Sequence, residues 1–214
     1  MDDFQKEAID ALNQGFSVVI SAPTGSGKTL VGEYSIHRAI AHGKKVFYTT
    51  PLKALSNQKL RDFREQFGDE RVGLMTGDLS VNREASILVM TTEIFRNMLY
   101  GEFDEHDDPL LDVEVVVLDE CHYMNDSQRG TVWEESIIYC PSSVQFVALS
   151  ATVANASQLT EWIQRVHGPT QLVKSTYRPV PLQFDFCSAK GLHPLLNDKG
   201  TGLHPNAKIW RPPK

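Results

Sequence analysis

Apolar residues collect into six short runs: SVVIS (17–21), KVFYTT (45–50), VGLMT (72–76), SILVMTT (86–92), VEVVVLDE (113–120) and VQFVALS (144–150). The runs are rich in β-branched residues and nearly continuous, without a regular polar alternation. A strand covered on one face alternates apolar and polar side chains. A continuous run suits a parallel strand with helices on both faces. Stretches with helical spacing lie between or after the runs, at 27–41, 53–67, 93–100, 129–138 and 155–167. This alternation predicts an α/β fold built on a doubly wound, mostly parallel sheet. Ligands in such sheets gather at the carboxyl ends of the strands. From about Ser175 onward Pro and Gly become dense, and periodicity fades after Phe186. The expected organisation is one domain over 1–175 and an extension or linker over 176–214.

The first run leads into APTGSGKT, which is Ala22, Pro23, Thr24, Gly25, Ser26, Gly27, Lys28 and Thr29, and then into an amphipathic helix. A strand, a glycine-rich turn and a helix N-terminus form the setting of a phosphate loop. Gly25 and Gly27 can take backbone angles closed to other residues, so successive N–H groups can turn toward phosphate oxygens. The helix terminus adds partial positive charge. Lys28 can reach the β- and γ-phosphates, and the Thr29 hydroxyl can ligate Mg²⁺.

The run VVVLDE ends in Asp119 and Glu120, so two carboxylates leave the sheet at the same edge. Asp119 can hold Mg²⁺ through water, and Glu120 is placed to activate an attacking water. Phosphate loop and carboxylate pair together predict nucleoside triphosphate hydrolysis. A zinc site at Cys121 and His122 is excluded because no second ligand pair lies at suitable spacing.

Composition narrows the setting. The net charge of −6 argues against a simple basic clamp around nucleic acid. Helix N-termini and backbone amides can still hold phosphates. Cys121, Cys140 and Cys187 are odd in number and far apart, as a reducing compartment permits, and are expected to be buried or half-buried thiols. No stretch reaches the roughly 18 consecutive apolar residues of a membrane span. The acidic start MDDFQKEAID lacks the layout of a signal peptide.

Further segments extend the series: TTPLKALSNQK (49–59), GLMTGD (73–78), TTEIFRNML (91–99), DECH (119–122) and SAT (150–152). With APTGSGKT, and in this order, they resemble superfamily 2 helicases of the DExH type. The likeness is to the superkiller-like RNA helicases, and DECHYMNDSQRGTVWEE, RGTVWEESIIYCP and LSATVANA are similar to their cyanobacterial and plastid branch. It runs from about Phe4 to Leu182. The resemblance implies a RecA-like fold, ATP with Mg²⁺, and Ala22 as the ordinary first residue of the phosphate loop. It implies that Gln5 reads the adenine edge. It makes Pro51, Lys53, Thr92 and Arg96 contacts to the backbone of single-stranded RNA, with Gly77 and Asp78 shaping a nearby loop. His122, Ser150, Ala151 and Thr152 would sense and pass on the γ-phosphate state.

Helicases of this type close ATP between two RecA-like lobes, the second carrying an arginine-rich motif of the form Q-R-x-G-R-x-G-R. No such run occurs here. YRPVPL (177–182) is similar to the strand segment leading toward that second lobe. The resemblance therefore implies a first lobe only, with little activity by itself. It implies bacterial cytoplasm, or plastid stroma in a plant or alga. The alternatives are a DNA helicase lobe and a non-catalytic nucleic-acid-binding scaffold.

Overall fold

A computed structural model describes residues 1–101, 109–125, 130–188, 191–197 and 202–204. In chain order its elements begin with α1 (Asp3–Asn13), β1 (Ser17–Ser21), α2 (Thr29–Ala41), β2 (Lys45–Thr50) and α3 (Lys53–Phe67). They continue with β3 (Val72–Met75), β4 (Ser80–Val81), β5 (Ile87–Thr91), α4 (Thr92–Leu99), β6 (Val113–Leu118) and α5 (Gly130–Tyr139). The last are β7 (Gln145–Ser150), α6 (Ala156–Val166), β8 (Thr170–Lys174), β9 (Asp185–Ser188) and β10 (Gly191–Pro194).

Eight strands form one sheet in the order β4-β3-β5-β2-β6-β7-β1-β8. Every pairing in it is parallel except that of β4 with β3. The apolar runs are continuous because each strand feeds two cores. Val18 and Ile20 of β1, Val46 and Tyr48 of β2, and Val115 and Val117 of β6 join one core with Leu12 of α1, Ile36 of α2 and Phe63 of α3. Their neighbours Val19, Phe47, Val116 and Leu118 join the other, with Phe95 of α4, Trp133 of α5 and Ile163 of α6. Successive side chains point to opposite faces, and both faces are dry. The expected doubly wound architecture is the observed one.

The six predicted runs became β1, β2, β3, β5, β6 and β7, with ends moved by a residue or two. The third run stops at Met75, and the fifth stops at Leu118, before the carboxylates. Thr92, read as the end of a strand, opens α4 instead. The predicted helix over 129–138 is seen from Gly130 to Tyr139, and Arg129 lies outside the described residues.

Several features were not legible, among them the short strands β4, β9 and β10. The helix α1 buries Phe4, Gln5, Ala8, Ile9, Ala11 and Leu12, an amphipathic face thinned by charged neighbours. Edge strand β8 (TQLVK) is half polar, as an edge tolerates. YRPVPL (177–182) forms no strand, because Pro179 and Pro181 lack the N–H a ladder requires. By contact the chain divides into the compact units Met1–Tyr177 and Arg178–Lys214. The second unit contains the antiparallel pair β9–β10 and a bridge between Leu196 and Leu203. No helix among the described residues is long and apolar enough to cross a membrane.

Candidate nucleotide-binding site

Chain order and sheet order differ here, and that difference builds the site. After β1 the chain skips two strand positions to reach β2, and β6 and β7 later fill the gap. The loop after β1 and the turn after β6 therefore open at the same edge, with Ser150 of β7 between them. Ser150 aligns with Ser21 across the β1–β7 pair, and its carbonyl accepts the Ala22 N–H at 3.2 Å.

Residues 22–29 have the backbone expected of a phosphate loop. Gly25 has φ 83° and Gly27 φ 82°, both in the left-handed region. Lys28 then takes helical angles (φ −54°, ψ −36°) and α2 begins at Thr29. The Lys28 ammonium lies over the loop, donating to the carbonyls of Ala22 at 2.8 Å and Pro23 at 3.0 Å. The Ser26 hydroxyl is buried and has no protein partner. A buried unpaired donor costs about 1–3 kcal/mol, so an acceptor brought to this loop would relieve it. Thr24, Gly25 and Gly27 are exposed, while Pro23, Lys28 and Thr29 are half-buried. A glycine-turned helix terminus, a lysine across the loop and an orphaned hydroxyl together fit a polyphosphate.

Gln5 is not a surface amide. It is 5% exposed, and its side chain bridges two elements. Its Oε1 accepts the Asp2 N–H at 2.7 Å, which closes the capping box of α1, and its Nε2 donates to the Gly27 carbonyl at 3.0 Å.

Across the edge, the Asp119 N–H still donates to the Thr49 carbonyl at 3.0 Å, holding the residue to the neighbouring strand. Asp119 Oδ1 accepts the Glu120 N–H at 2.9 Å, and Oδ2 accepts the Tyr48 hydroxyl at 2.7 Å. Burial first, then the charge of Asp119, pushes the Tyr48 phenol well above its ordinary range, so it stays a donor. Glu120 has φ 53°, a left-handed backbone carried by a residue other than glycine. His122 Nδ1 lies 3.2 Å from Glu120 Oε2, outside hydrogen-bond alignment. The Thr29 hydroxyl and the Asp119 carboxylate are oxygen donors of the kind a hard divalent cation takes.

Between the two motifs, the Ser150 hydroxyl donates to the Ala151 carbonyl at 2.8 Å. Ser150 is buried, Ala151 half-buried and Thr152 exposed. Burial pushes the Cys121 thiol up to about 12, with a hydrogen bond to Ser150 acting the other way. Cys140 is likewise buried, with its thiol pushed up to about 12. Cys187 is exposed, unlike the buried or half-buried thiol expected of it.

The residues read as nucleic-acid contacts lie around the corners after β2, β3 and β5. Pro51 is buried and Lys53 exposed at the start of α3. Lys53 pairs with Asp78 at 2.8 Å, and Asp78 also accepts the Thr76 hydroxyl at 2.9 Å. Those two bonds, that of Lys53 first, hold the Asp78 carboxyl below its ordinary range. Gly77 is exposed beside it. Thr92 is buried, and its hydroxyl donates to the Thr50 carbonyl at 3.2 Å, tying the two corners together. Arg96 is half-buried, with Glu135 at 3.4 Å and the Tyr100 ring at 5.9 Å. Neither α3 nor α4 has a side-chain cap, so the first N–H groups of each helix keep donor capacity.

Residues 2–159 match the DEAD/DEAH box helicase family. The chain belongs to that family. As a helicase ATP-binding domain it is 54% identical over 206 residues to the chloroplastic DExH-box ATP-dependent RNA helicase DExH15 of Arabidopsis thaliana, covering 95% of this chain and 18% of that protein. It is 48% identical over 207 residues to the antiviral helicase SKI2 of Saccharomyces cerevisiae, covering 96% and 16%. The chain thus spans under a fifth of the length of these two relatives. Among solved structures, Mycobacterium smegmatis helicase Lhr bound to ssDNA and AMP-PNP aligns with TM-score 0.62 and 27% identity, over 85% of this chain and 26% of that one.

One residue of this helicase domain escaped the sequence reading. Tyr48 sits in KVFYTT, which registered only as an apolar strand. The available signal was a tyrosine in the middle of a strand otherwise fit for burial, since a buried hydroxyl requires a partner.

Proposed function

We propose that this chain is the ATP-binding lobe of an ATP-dependent RNA helicase, coupling ATP hydrolysis to RNA unwinding or translocation. One observation carries the reading. The phosphate loop after β1 and the Asp119–Glu120 turn after β6 open at one sheet edge with Ser150 between them.

Placement supports the following roles. Backbone N–H groups of residues 22–29 and the Lys28 ammonium hold the β- and γ-phosphates, with Gln5 bracing the loop and reading the adenine edge. The Thr29 hydroxyl and Asp119 would hold Mg²⁺, which when bound would neutralise developing phosphate charge. Glu120 accepts the proton of the attacking water. His122, touching Glu120, and the Ser150–Ala151–Thr152 corner, bonded to the phosphate loop through Ala22, relay the phosphate state. Pro51, Lys53, Thr92 and Arg96, in and after the strand-to-helix corners, with Gly77 and Asp78 in the turn between β3 and β4, would hold a sugar–phosphate backbone without reading its sequence.

The opposite wall of the cleft would come from a second RecA-like lobe with its arginine fingers. An arginine finger is worth roughly 10³–10⁵ in rate, so the 214-residue chain is expected to bind nucleotide weakly and turn it over very slowly. Residues 176–214 would serve as the extension toward that lobe. Bacterial cytoplasm or plastid stroma suits the reading, since one relative is chloroplastic.

Lys28→Ala tests the core of the reading, and unchanged ATP affinity in that variant would sink it. The likeness to Lhr bound to ssDNA supports a second reading, a DNA helicase lobe. Competition between matched RNA and DNA single strands separates the two.

A further inference from the structure

We propose that Tyr48 is a positioning residue for the divalent cation of this site, its hydroxyl setting the direction of the Asp119 carboxylate. The inference rests on the reading of Asp119 as a metal-holding group and adds a residue that no phosphate-loop or DExH motif contains.

Three observations carry it. First, Tyr48 lies on β2 opposite Val117 of β6, and its side chain reaches past the strand end to Asp119 Oδ2 at 2.7 Å. A neutral hydroxyl on a carboxylate at that distance is a charge-assisted hydrogen bond, stronger than a neutral pair. With Oδ1 held by the Glu120 N–H, both oxygens are fixed, and each keeps lone-pair capacity for another partner.

Second, the tyrosine cannot swing. Its ring is fully buried and meets Phe63 of α3 edge-on, with centroids 4.9 Å apart. Lys59 Nζ lies 5.4 Å from the ring centroid. On α2, a methyl group at Gly32 would meet the ring at 3.4 Å, so the helix already packs close against it. A side chain locked by packing transmits its orientation to whatever it hydrogen-bonds.

Third, packing alone does not call for the hydroxyl. Phenylalanine would fill the same space without the cost of burying a polar group. The one polar atom of Tyr48 is spent on Asp119. Partners behind a metal ligand fix its orientation, and their loss typically costs about 10–100-fold in metal affinity or activity.

The test uses Tyr48→Phe in the full chain, with Mn²⁺ and ADP as probes and electron paramagnetic resonance reading bound metal. The variant is expected to need about 10–100-fold more Mn²⁺ for half occupancy. ADP binding in EDTA should not change, a result that simple loosening of the fold would not give. Asp119→Asn serves as the reference. If Asp119→Asn loses Mn²⁺ while Tyr48→Phe binds it as the unaltered chain does, the positioning role is wrong and the reading of Asp119 stands. If neither substitution moves Mn²⁺ affinity, the metal reading of Asp119 falls and takes this inference with it. Should Tyr48→Phe not fold, Phe63→Leu frees the ring while keeping the hydroxyl. Weaker Mn²⁺ binding there supports the role, and unchanged binding overturns it.

Discussion

Gln5 Nε2 donates to the carbonyl of Gly27 at 3.0 Å, so the first helix holds the last glycine of the phosphate loop. A Cβ on Gly27 would lie 2.9 Å from that same nitrogen, on a backbone with φ +82°. Gly27→Ala should therefore cost about 1–2 kcal/mol from the left-handed backbone alone, plus the displaced amide. Gln5→Ala should cost roughly 1–2 kcal/mol for two lost hydrogen bonds. Urea unfolding measures both, and both variants should bind nucleotide more weakly.

Glu120 is the proposed base and also sits on a strained backbone, with φ 53°. Glu120→Gln is expected to keep nucleotide binding and lose turnover. Glu120→Gly should also lose turnover, yet match the stability of the unaltered chain or exceed it by up to about 1 kcal/mol, because glycine accepts that angle. Turnover surviving in either variant would remove Glu120 from the chemistry.

Lys53 and Asp78 form an exposed pair at 2.8 Å. Exposed pairs contribute little to stability, so Lys53→Ala should leave the melting temperature unchanged. If Lys53 holds a phosphate, its loss should weaken single-stranded RNA binding and reduce the salt slope by about 0.7. Asp78→Asn should strengthen binding, since it releases Lys53 from a competing carboxylate. Filter binding across a salt series reads both effects.

Burial pushes the thiols of Cys121 and Cys140 from 9.0 up to about 12. In the unfolded chain both would ionise near 9. Their neutral burial therefore contributes stability below pH 9 that is lost as pH rises toward 12. Melting temperatures over that range should fall, and less so in a double Cys→Ala variant. At pH 8 a thiol reagent should modify exposed Cys187 quickly and the other two only after unfolding.

Arg38 ties four elements together at the edge away from the phosphate loop. Its guanidinium donates to Glu114 at 2.8 Å, to the Leu12 carbonyl at 2.8 Å and to Gln145. It is 11% exposed and its loss removes three hydrogen bonds, while His42 Nδ1 still lies 2.8 Å from Glu114, so Arg38→Ala should cost roughly 1–3 kcal/mol. Nucleotide affinity at low temperature should be retained.

Much of this protein is local and therefore readable. Continuous apolar runs such as VVVL announce a strand covered on both faces. The glycines of GSGKT announce a left-handed turn before a helix, because few other residues accept those angles. Edge strand β8 and helix α1 were missed because their patterns are diluted by residues that face water.

The sequence by itself determined which residues can chelate, accept a proton or bend the chain. Side-chain chemistry and backbone freedom belong to each residue wherever it lies. Only the tertiary structure decided which of these groups meet. Strand order placed β7 between β1 and β6, and it brought the Tyr48 hydroxyl to Asp119 and the Gln5 amide to Gly27. Those contacts join residues far apart in the chain, and their distances are set by how helices pack on the sheet, which no local pattern encodes.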